Sequence, residues 1–559
     1  MQRESSAAST TLSDHAIRVS GDDARSQNIQ AGRALAETVR STLGPNGRDK
    51  MIVGSDGAVV VTNDGTSILD RLEIDHPAAE AIIDVAASQN ETIGDGTTSA
   101  VLLTGALLDE AEGLLDEGVH PASITAGYRR ASDRALQYLE DAAHDIDTGD
   151  RSLLESVATT AITGRWDEDS TAFMAGLAVD GVRAVTTDGR VDRSDLLLRP
   201  VLGGSLREST ALDGVVIDMA QSSTTVSTRD LDAPRKLTDA GIAIVDAPLT
   251  IETAAAVSNV TVTDPDELER LRDHEAAVYR EQVDRIVESG ADVVFAQKSI
   301  DDAVRTLLAS KGVLAVERTR RDELHALERA TGARAVADTE ELTPAHVGAA
   351  GSVERRSVAG TELTILTDCV DADPVSILLR GGTDHVLDET KRIVEDCLDV
   401  TELVLETGRV LPGGGAAEIG VARALRSDAA GVSGREQLAV RRFADALEAI
   451  PRTLATGAGA DPIDAITALR QAHHEGRDDA GFDVHDRRVA NMVDGGVLEP
   501  ADLTCRAIEG ASEAAVLLLR VDDLIAARRR ESDDAGHDHD HGAGGLRSAG
   551  GGYPWTIGH

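Results

Sequence analysis

The apolar residues of this chain follow a helical period near both ends and a strand-and-helix alternation in the middle. That double switch constrains the fold more than any other feature. Residues 28–43, NIQAGRALAETVRSTL, place Ile29, Leu35, Val39 and Leu43 near a helical repeat that Gly44-Pro45 ends. Two short apolar runs, Met51 to Val53 and Val59 to Val61, flank a Gly-Ser-Asp-Gly turn and predict a β-hairpin that runs into Thr62-Asn63-Asp64-Gly65. Helical patterns follow from Pro77 to Thr92 and from Ala100 to Leu115. Between Gly214 and about Asp371, β-rich runs (GVVID, GIAIVDA, ADVVFAQ, GVLAVER) alternate with charged helical segments such as DELERLRDHEAAVYREQVDRIVESG. After Lys391 the helical period returns, most clearly in ADALEAIPRTL, DPIDAITALRQAHHEG and SEAAVLLLRVDDLIAARRR. Helical ends around an α/β middle predict one discontinuous domain carrying an insertion. The 559 residues exceed the roughly 250–300 at which single cores stop growing, so two or three domains are expected.

Charge narrows the surroundings and the partners. With 55 basic and 98 acidic residues the formal charge is −43, and only Lys50, Lys236, Lys298, Lys311 and Lys391 are lysines. Such a surface repels nucleic-acid backbones, which argues against DNA or RNA as partner. At about 1 M salt the Debye length is only about 3 Å and the self-repulsion is screened, so the acid excess predicts the cytosol of an extreme halophile. The sequence contains no run of the ~18 apolar residues that a membrane span needs. The opening MQRESSAASTTLSDHAIRV has no apolar signal-peptide core, so a cytoplasmic location is expected. Cys369, Cys397 and Cys505 are far apart and lack CxxC spacing, which implies neither a disulfide framework nor a zinc site.

The short motif with the most chemistry is Gly94-Asp95-Gly96-Thr97-Thr98, directly before a helical pattern. Glycines there let backbone amides approach a phosphate, the helix N-terminus favours negative charge, and Asp95 offers a hard oxygen ligand for Mg²⁺. Alone, the motif reads equally as a helix cap with a turn. Leu43-Gly44-Pro45-Asn46-Gly47 and Pro412-Gly413-Gly414-Gly415-Ala416 are two further glycine loops beside helical stretches. Three such loops with an acidic partner suggest a nucleotide cradle. No G-x-x-x-x-G-K-[ST] sequence occurs, so the cradle is not a P-loop.

At these residues the chain resembles the group II chaperonins, the archaeal thermosome and eukaryotic cytosolic type. The resemblance runs from about residue 14 to 530 and is carried by TVRSTLGPNGRDKM, VTNDGTSIL, HPAAEAII, GDGTTSAV, ATTAITG, VESGADVVFAQKSIDDAV, ILLRGGT, LPGGGAAEI, FADALEAIPRTLA and ASEAAVLLLRVDDLIAA. It implies a multidomain α/β chaperonin architecture. A mostly helical equatorial ATPase domain would comprise residues 1–148 and 402–530, and a small α/β intermediate domain 149–213 and 372–401. An inserted α/β apical domain would span 214–371, with a helical lid protrusion at about 250–277, and residues 531–559 would form a disordered Gly/Asp/His-rich tail. The implied activity is ATP hydrolysis with Mg²⁺, coupled to folding of nonnative protein clients inside stacked rings of identical or paralogous subunits.

The resemblance also implies roles for particular residues. Leu43, Gly44, Pro45, Gly96, Thr97, Thr98 and Ser99 match the phosphate loops, Asp95 the Mg²⁺ ligand, and Gly413 and Gly414 the loop near ribose and base. Asp64 matches the catalytic carboxylate, and Asp396 a second carboxylate that the hinge segment brings to the attacking water on closure. Asp483 and Glu499 match positions lining adenine and ribose; as bare residues they read equally as exposed strand and turn acids. Two positions depart from the family. Asn46 replaces the usual lysine of LGPKG, and Arg165 replaces the γ-phosphate-sensing lysine after ITG, keeping the charge on a planar fork. General lysine depletion explains both, and so does a specialised, weakly hydrolysing subunit of hetero-oligomeric rings; a Mg²⁺-dependent small-molecule phosphohydrolase is a third reading. In the tail, His537, His539 and His541 alternate with aspartates and could capture a transition metal, or form a solvated tail, and Trp555 stands where the family carries Gly-Gly-Met repeats.

Overall fold

A computed structural model describes residues 17–526, apart from 55, 56, 58, 73, 219–233, 251–264 and 371–373. The tail with its histidines, and residues 251–264 of the expected lid protrusion, half of it, lie outside the described residues. The chain divides into two units. In one, residues 1–24 with 521–559, the strand Ile17–Ser20 pairs antiparallel with Asp523–Ala526, Ile17 opposite Ala526.

The other unit, Arg25–Arg520, holds three main cores. The largest is helical and draws on both ends of the chain. The helices Pro77–Ile93, Thr97–Asp116, Pro121–Ala142, Ala416–Ala429, Glu436–Leu447 and Ala501–Leu519 enclose Ile82, Leu102, Leu107, Leu108, Tyr128, Val421, Phe443 and Ile508. The Tyr128 and Phe443 rings meet edge to face at 5.5 Å, and the Tyr128 hydroxyl donates to the Leu107 carbonyl at 2.8 Å. A ring this size in a dry core contributes about 3–5 kcal/mol by the cost of truncation, provided its polar tip is paired, as it is here.

The second core lies between the helices Arg151–Ile162, Glu168–Ala184 and Asp384–Thr407 and a three-stranded sheet. There Val375–Gly381 sits centrally, parallel to Leu196–Leu202 and antiparallel to Thr210–Asp213. The helix Asp384–Thr407 begins at Thr383, whose side chain accepts from the Val386 amide, and ends at Gly408 in the left-handed region, φ +66°. It buries Ile393, Val394, Cys397, Leu398, Val400 and Val404. Its opposite face carries Arg392 and Asp396, which matters for the site below.

The third core is built on a six-stranded sheet. Its spatial order is Leu314–Val316, Val293–Ala296, Lys236–Val245, Gly348–Val358, Thr361–Cys369, Val215–Asp218. The first three strands are mutually parallel and the rest antiparallel. Side chains alternate across it: Ile242, Ile244, Val293 and Phe295 pack with Leu324 and Leu327 of the helix Arg321–Thr331. Ala243, Val245, Val294 and Ala296 pack with Ile286 of the helix Pro265–Glu288 and Val304 and Leu308 of Asp302–Ser310. Covering both faces is why GIAIV and VVFA are unbroken apolar runs rather than alternating ones. Among the described residues no helix is long and apolar enough to cross a membrane. Among the described residues no disulfide links the three cysteines, and Cys397 is buried.

Candidate functional site

Loops from distant parts of the sequence close on one cavity of about 1170 Å³. Its lining includes Leu43, Gly44, Pro45, Asp64, Asp95, Thr97, Thr98, Ser99, Arg165, Asp396, Gly414, Asp483 and Glu499. Of the positions expected from sequence, Gly96 and Gly413 flank the cavity without lining it. Gly96 is the left-handed N-cap (φ +86°) that starts the helix Thr97–Asp116, and a Cβ on Gly413 would stand 2.9 Å from Glu499 Oε1. Two helices begin at the cavity, Thr97–Asp116 after Gly96 and Ala416–Ala429 after Gly415, and neither start has a side-chain cap. The amides of Thr97, Thr98 and Ser99 donate no hydrogen bond among the described residues, the arrangement that binds anions at helix N-termini, whereas the Ala416 amide already donates to the Gly413 carbonyl at 3.2 Å.

Close approach demands glycine at two points. A Cβ on Gly164 would lie 2.1 Å from the Pro45 carbonyl oxygen, so the loop before Arg165 rests directly on the first glycine loop. A Cβ on Gly94 (φ +79°) would lie 2.5 Å from the Cβ of Asp399, so the helix Asp384–Thr407 touches the loop that carries Asp95.

Three carboxylates and two guanidinium groups share the inner end. Asp64 caps the helix Gly65–Leu69: its Oδ2 accepts the Ser67 amide at 2.8 Å and Arg392 Nη1 at 2.8 Å. Burial opposes its charge, but the Ser67 amide and Arg392 outweigh burial and hold the carboxyl below its usual range. Asp95 accepts its neighbour's amide, Gly96 N–H, at 2.6 Å. Burial nevertheless raises its pKa, with the negative charge of Asp64 adding to the effect. Asp396 is pushed up furthest, first by burial and then by Asp64 and Asp95. Arg165 Nη1 is buried without a hydrogen-bond partner. An arginine with an unpaired nitrogen, close enough to act on three crowded carboxylates beside two open helix starts, fits a phosphate chain with a divalent cation, which would compensate the unpaired charge and relieve the acids. Among the described residues no three His, Cys, Asp or Glu side chains form a metal cluster, so a cation there would take its other ligands from phosphate and water.

The outer end was less visible in the sequence. Asp483 lines the cavity while its Oδ1 caps the turn of its hairpin, accepting the amides of His485 at 2.9 Å and Asp486 at 3.1 Å. Glu418, which the sequence reading did not single out, is buried in the first turn of Ala416–Ala429 and lines the cavity with Glu499. Burial lifts Glu418 to about 7; burial and then Glu418 and Asp95 lift Glu499 to about 8. The only sequence signal for Glu418 was an acid inside the apolar run GGGAAEIG. Arg392 was also missed, although it stands four residues before Asp396 on one helix face.

The raised pair gives a signed pH prediction. Folded, these carboxyls hold protons more tightly than the unfolded chain does, whose glutamates titrate near 4.3. Their contribution is complete below about pH 4 and declines as pH rises through about 7 and 8. Without nucleotide or Mg²⁺, the melting temperature should fall between pH 6 and 8.5. Asp95 and Asp396 contribute with the same sign, so Glu418→Gln with Glu499→Gln should flatten that slope rather than abolish it; an unchanged slope contradicts the pairing.

Comparison with known proteins places this geometry. Residues 35–529 match the model of the TCP-1/cpn60 chaperonin family. The chain is 44% identical to thermosome subunit alpha of Halobacterium salinarum over 527 residues, 94% of this chain and 92% of that one. It is 45% identical to thermosome subunit 1 of Haloferax volcanii over 531 residues, covering 95% and 94% of the two chains. To the thermosome subunit of Methanopyrus kandleri it is 44% identical over 515 residues, 91% and 93% of the two. Two of these three relatives are halophile proteins, in keeping with the acid excess of the sequence. A match that spans the helical ends, the α/β insertion and every loop of the cavity makes this chain a member of the TCP-1/cpn60 chaperonin family.

Proposed function

We propose that this chain is an ATP-hydrolysing group II chaperonin subunit that encloses and folds nonnative proteins in a double-ring chamber with a built-in lid. One observation carries the reading of the site: two uncapped helix starts and Arg165, one nitrogen of which is buried and unpartnered, stand at a cavity also lined by Asp64, Asp95 and Asp396. In this assignment residues 1–148 and 402–530 form the equatorial ATPase domain. Residues 149–213 and 372–401 form the intermediate domain, and 214–371 the apical domain, with the lid at about 250–277.

The amides of Thr97, Thr98 and Ser99, the Gly44-Pro45 turn and Arg165 hold the phosphates of ATP. Gly414, Asp483 and Glu499 line the sugar and base end. Mg²⁺, held by Asp95 together with phosphate oxygens, would supply the positive charge that neutralises the γ-phosphate. Asp64 and Asp396 orient the attacking water and take up its proton. Because Asp396 lies on the helix Asp384–Thr407 and Asp64 before the helix Gly65–Leu69, the water site is complete only while those segments meet.

A weakly hydrolysing structural subunit is less well supported. Arg165 retains its charge at the cavity, and Asn46 lines a separate groove with Arg40 and Arg452 rather than this one. A small-molecule phosphohydrolase leaves the α/β insertion and the long match to thermosome subunits without a role. Assembly into stacked rings of identical or paralogous subunits is supported by the hairpin Lys50–Val53 and Val59–Thr62. Its Met51, Val53, Val59 and Val61 are 70, 64, 45 and 50% exposed, an apolar surface a lone chain would not keep. Neither nucleic acid nor membrane is among the proposed partners, and the proposed location is the cytoplasm.

The test is purification in molar KCl, with particle size and ATP turnover measured on one sample. Ring-sized particles that hydrolyse ATP are expected; a monomer without turnover overturns the reading. Dialysis to about 0.1 M salt lengthens the Debye length to about 10 Å, and with −43 charges on every subunit the rings should come apart. Particles that stay whole in dilute buffer contradict the salt dependence.

A further inference from the structure

Arg392 makes contacts that the reading above does not use. Its Nη1 donates to Asp64 Oδ2 at 2.8 Å, to the Ser67 hydroxyl, and to Thr62 Oγ1 at 3.4 Å. Its Nη2 pairs with Glu389 on its own helix and reaches Thr62 Oγ1 at 3.3 Å. Thr62 Oγ1 in turn accepts the Asp64 amide at 3.1 Å. The fork thus grips three points around one carboxylate: the end of the strand Val59–Thr62, Asp64 itself, and the helix Gly65–Leu69. Oδ2 of Asp64 takes both the Ser67 amide and Arg392, the Ser67 hydroxyl also acts on the carboxylate, and the residue lines the cavity.

We infer that the helix Asp384–Thr407 delivers two groups to the site rather than one: Asp396, and Arg392 as the positioning residue that fixes the Asp64 carboxylate at the cavity wall. The inference rests on the reading of Asp64 as a catalytic carboxylate. Geometry gives it content. Arg392 and Asp396 are one helical turn apart on one face, so any movement that withdraws Asp396 also removes the guanidinium from Asp64. Loss of contact would then cost a carboxylate and disorder the other in the same step, making hydrolysis more sensitive to the hinge than one displaced acid allows. A planar fork suits this work because it satisfies oxygens from two rigidly spaced nitrogens: Nη1 holds Asp64 and Ser67 while Nη2 pairs with Glu389 and reaches Thr62, a span that a single ammonium nitrogen does not cover. In a chain with only five lysines and 55 basic residues, arginine here is no evidence in itself; the three-point grip is.

The experiment uses assembled rings in molar KCl and four variants, Arg392→Gln, Arg392→Lys, Asp64→Asn and the double Arg392→Gln/Asp64→Asn. Single-turnover phosphate release gives the rate, ADP binding followed by Trp166 fluorescence gives affinity, and light scattering checks assembly. Trp166 lines the cavity and serves as reporter once Trp555, the other tryptophan, is replaced by phenylalanine. Arg392→Gln should lower the rate about 10- to 100-fold, the scale of a misplaced catalytic group, with ADP affinity within about threefold of the parent. Arg392→Lys should recover part of that rate, which guards against a glutamine variant that fails to assemble. In the Asp64→Asn background the loss of Arg392 should cost nothing further, because groups acting through one another are not additive. An equal loss in both backgrounds, a lysine variant no better than glutamine, or an unchanged rate overturns the inference. If Asp64→Asn alone turns over normally, the assignment of Asp64 has failed and the Arg392 inference falls with it. If Asp64→Asn is slow while Arg392→Gln is not, only the inference fails.

Discussion

Asp396→Ala is expected to lower ATP turnover by two to three orders of magnitude while the rings still bind nucleotide. The affinity for ATP comes from groups that this substitution leaves alone: the open amides at Thr97 to Ser99, the helix start after Gly415 and the charge of Arg165. In the proposed mechanism Asp396 supplies an acceptor for the proton of the attacking water, and a positioned general base is worth roughly 10²–10⁴ in rate. Its burial beside Asp64 and Asp95 raises its pKa well above that of a free aspartate, which makes it a better proton acceptor than an exposed carboxylate once nucleotide and cation are in place. The companion variant at Asp64 should be asparagine. Asp64 also caps the helix Gly65–Leu69 through the Ser67 amide, and alanine would add about 1 kcal/mol of lost capping to any catalytic effect. Steady-state phosphate release with ADP affinity measured on the same rings separates the two quantities. Turnover within a few-fold of the parent for Asp396→Ala would remove the residue from the mechanism, whatever the rings do.

Periodic features were legible in the sequence, and features made by pairing distant charges were not. The hairpin expected from Met51 to Val61 is found at Lys50–Val53 and Val59–Thr62, and the helix expected from Pro77 to Thr92 at Pro77–Ile93. The first helix shows where pattern reading slips. It runs Asp22–Arg40 rather than 28–43, starting earlier on polar residues that carry no apolar period. It ends earlier because the chain turns at Ser41, whose carbonyl accepts the Arg48 amide at 2.7 Å. The strand Gly348–Val358 has only a weak apolar pattern, and its neighbours Lys236–Val245 and Thr361–Cys369 supply the hydrogen bonds that make it a strand. At the site, glycine loops and aspartates advertise themselves because backbone conformation demands glycine locally. Arg392 and Glu418 take their meaning from partners 328 residues away in one case and from burial in the other, and neither is written in the flanking sequence.

Glu448 is the strongest case of that kind, and Glu448→Ala is expected to be the most destabilising loss of a charged side chain outside the site. The residue ends the helix Glu436–Leu447 and opens Ala449–Gly457, and its side chain is 0% exposed. Three arginines from three helices close on it. Arg426 donates to Oε1 at 2.7 Å, Arg470 to Oε1 at 2.6 Å and to Oε2 at 2.7 Å, and Arg452 to Oε2 at 3.1 Å. Burial alone would raise its pKa, but the hydrogen bond from Arg470 and the charge of Arg426 outweigh that and lower it. With a depressed folded pKa, its contribution is present above the unfolded value near 4.3 and lost as pH falls through the folded one. Removing the carboxylate leaves three crowded guanidinium groups, of which Arg426 keeps its pair with Asp445 at 2.7 Å. Breaking a fully buried pair from one side costs about 3–5 kcal/mol, and because these arginines are 30, 45 and 48% exposed the loss here is about 2–3 kcal/mol, still above the worth of an exposed pair. Molar KCl screens the arginines left behind but does not replace the hydrogen bonds of the buried carboxylate, so it should rescue the variant only in part. Arg207→Ala supplies the contrast: Arg207 and its partner Asp169 are 55 and 82% exposed, and its loss should be close to neutral in the same salt. Thermal unfolding of both variants at pH 7 in molar KCl makes the comparison, with a fall of several degrees expected for Glu448→Ala alone. Equal melting of the two would mean that the arginines find other acids or water at little cost, and that the four-way contact does not hold these helices together.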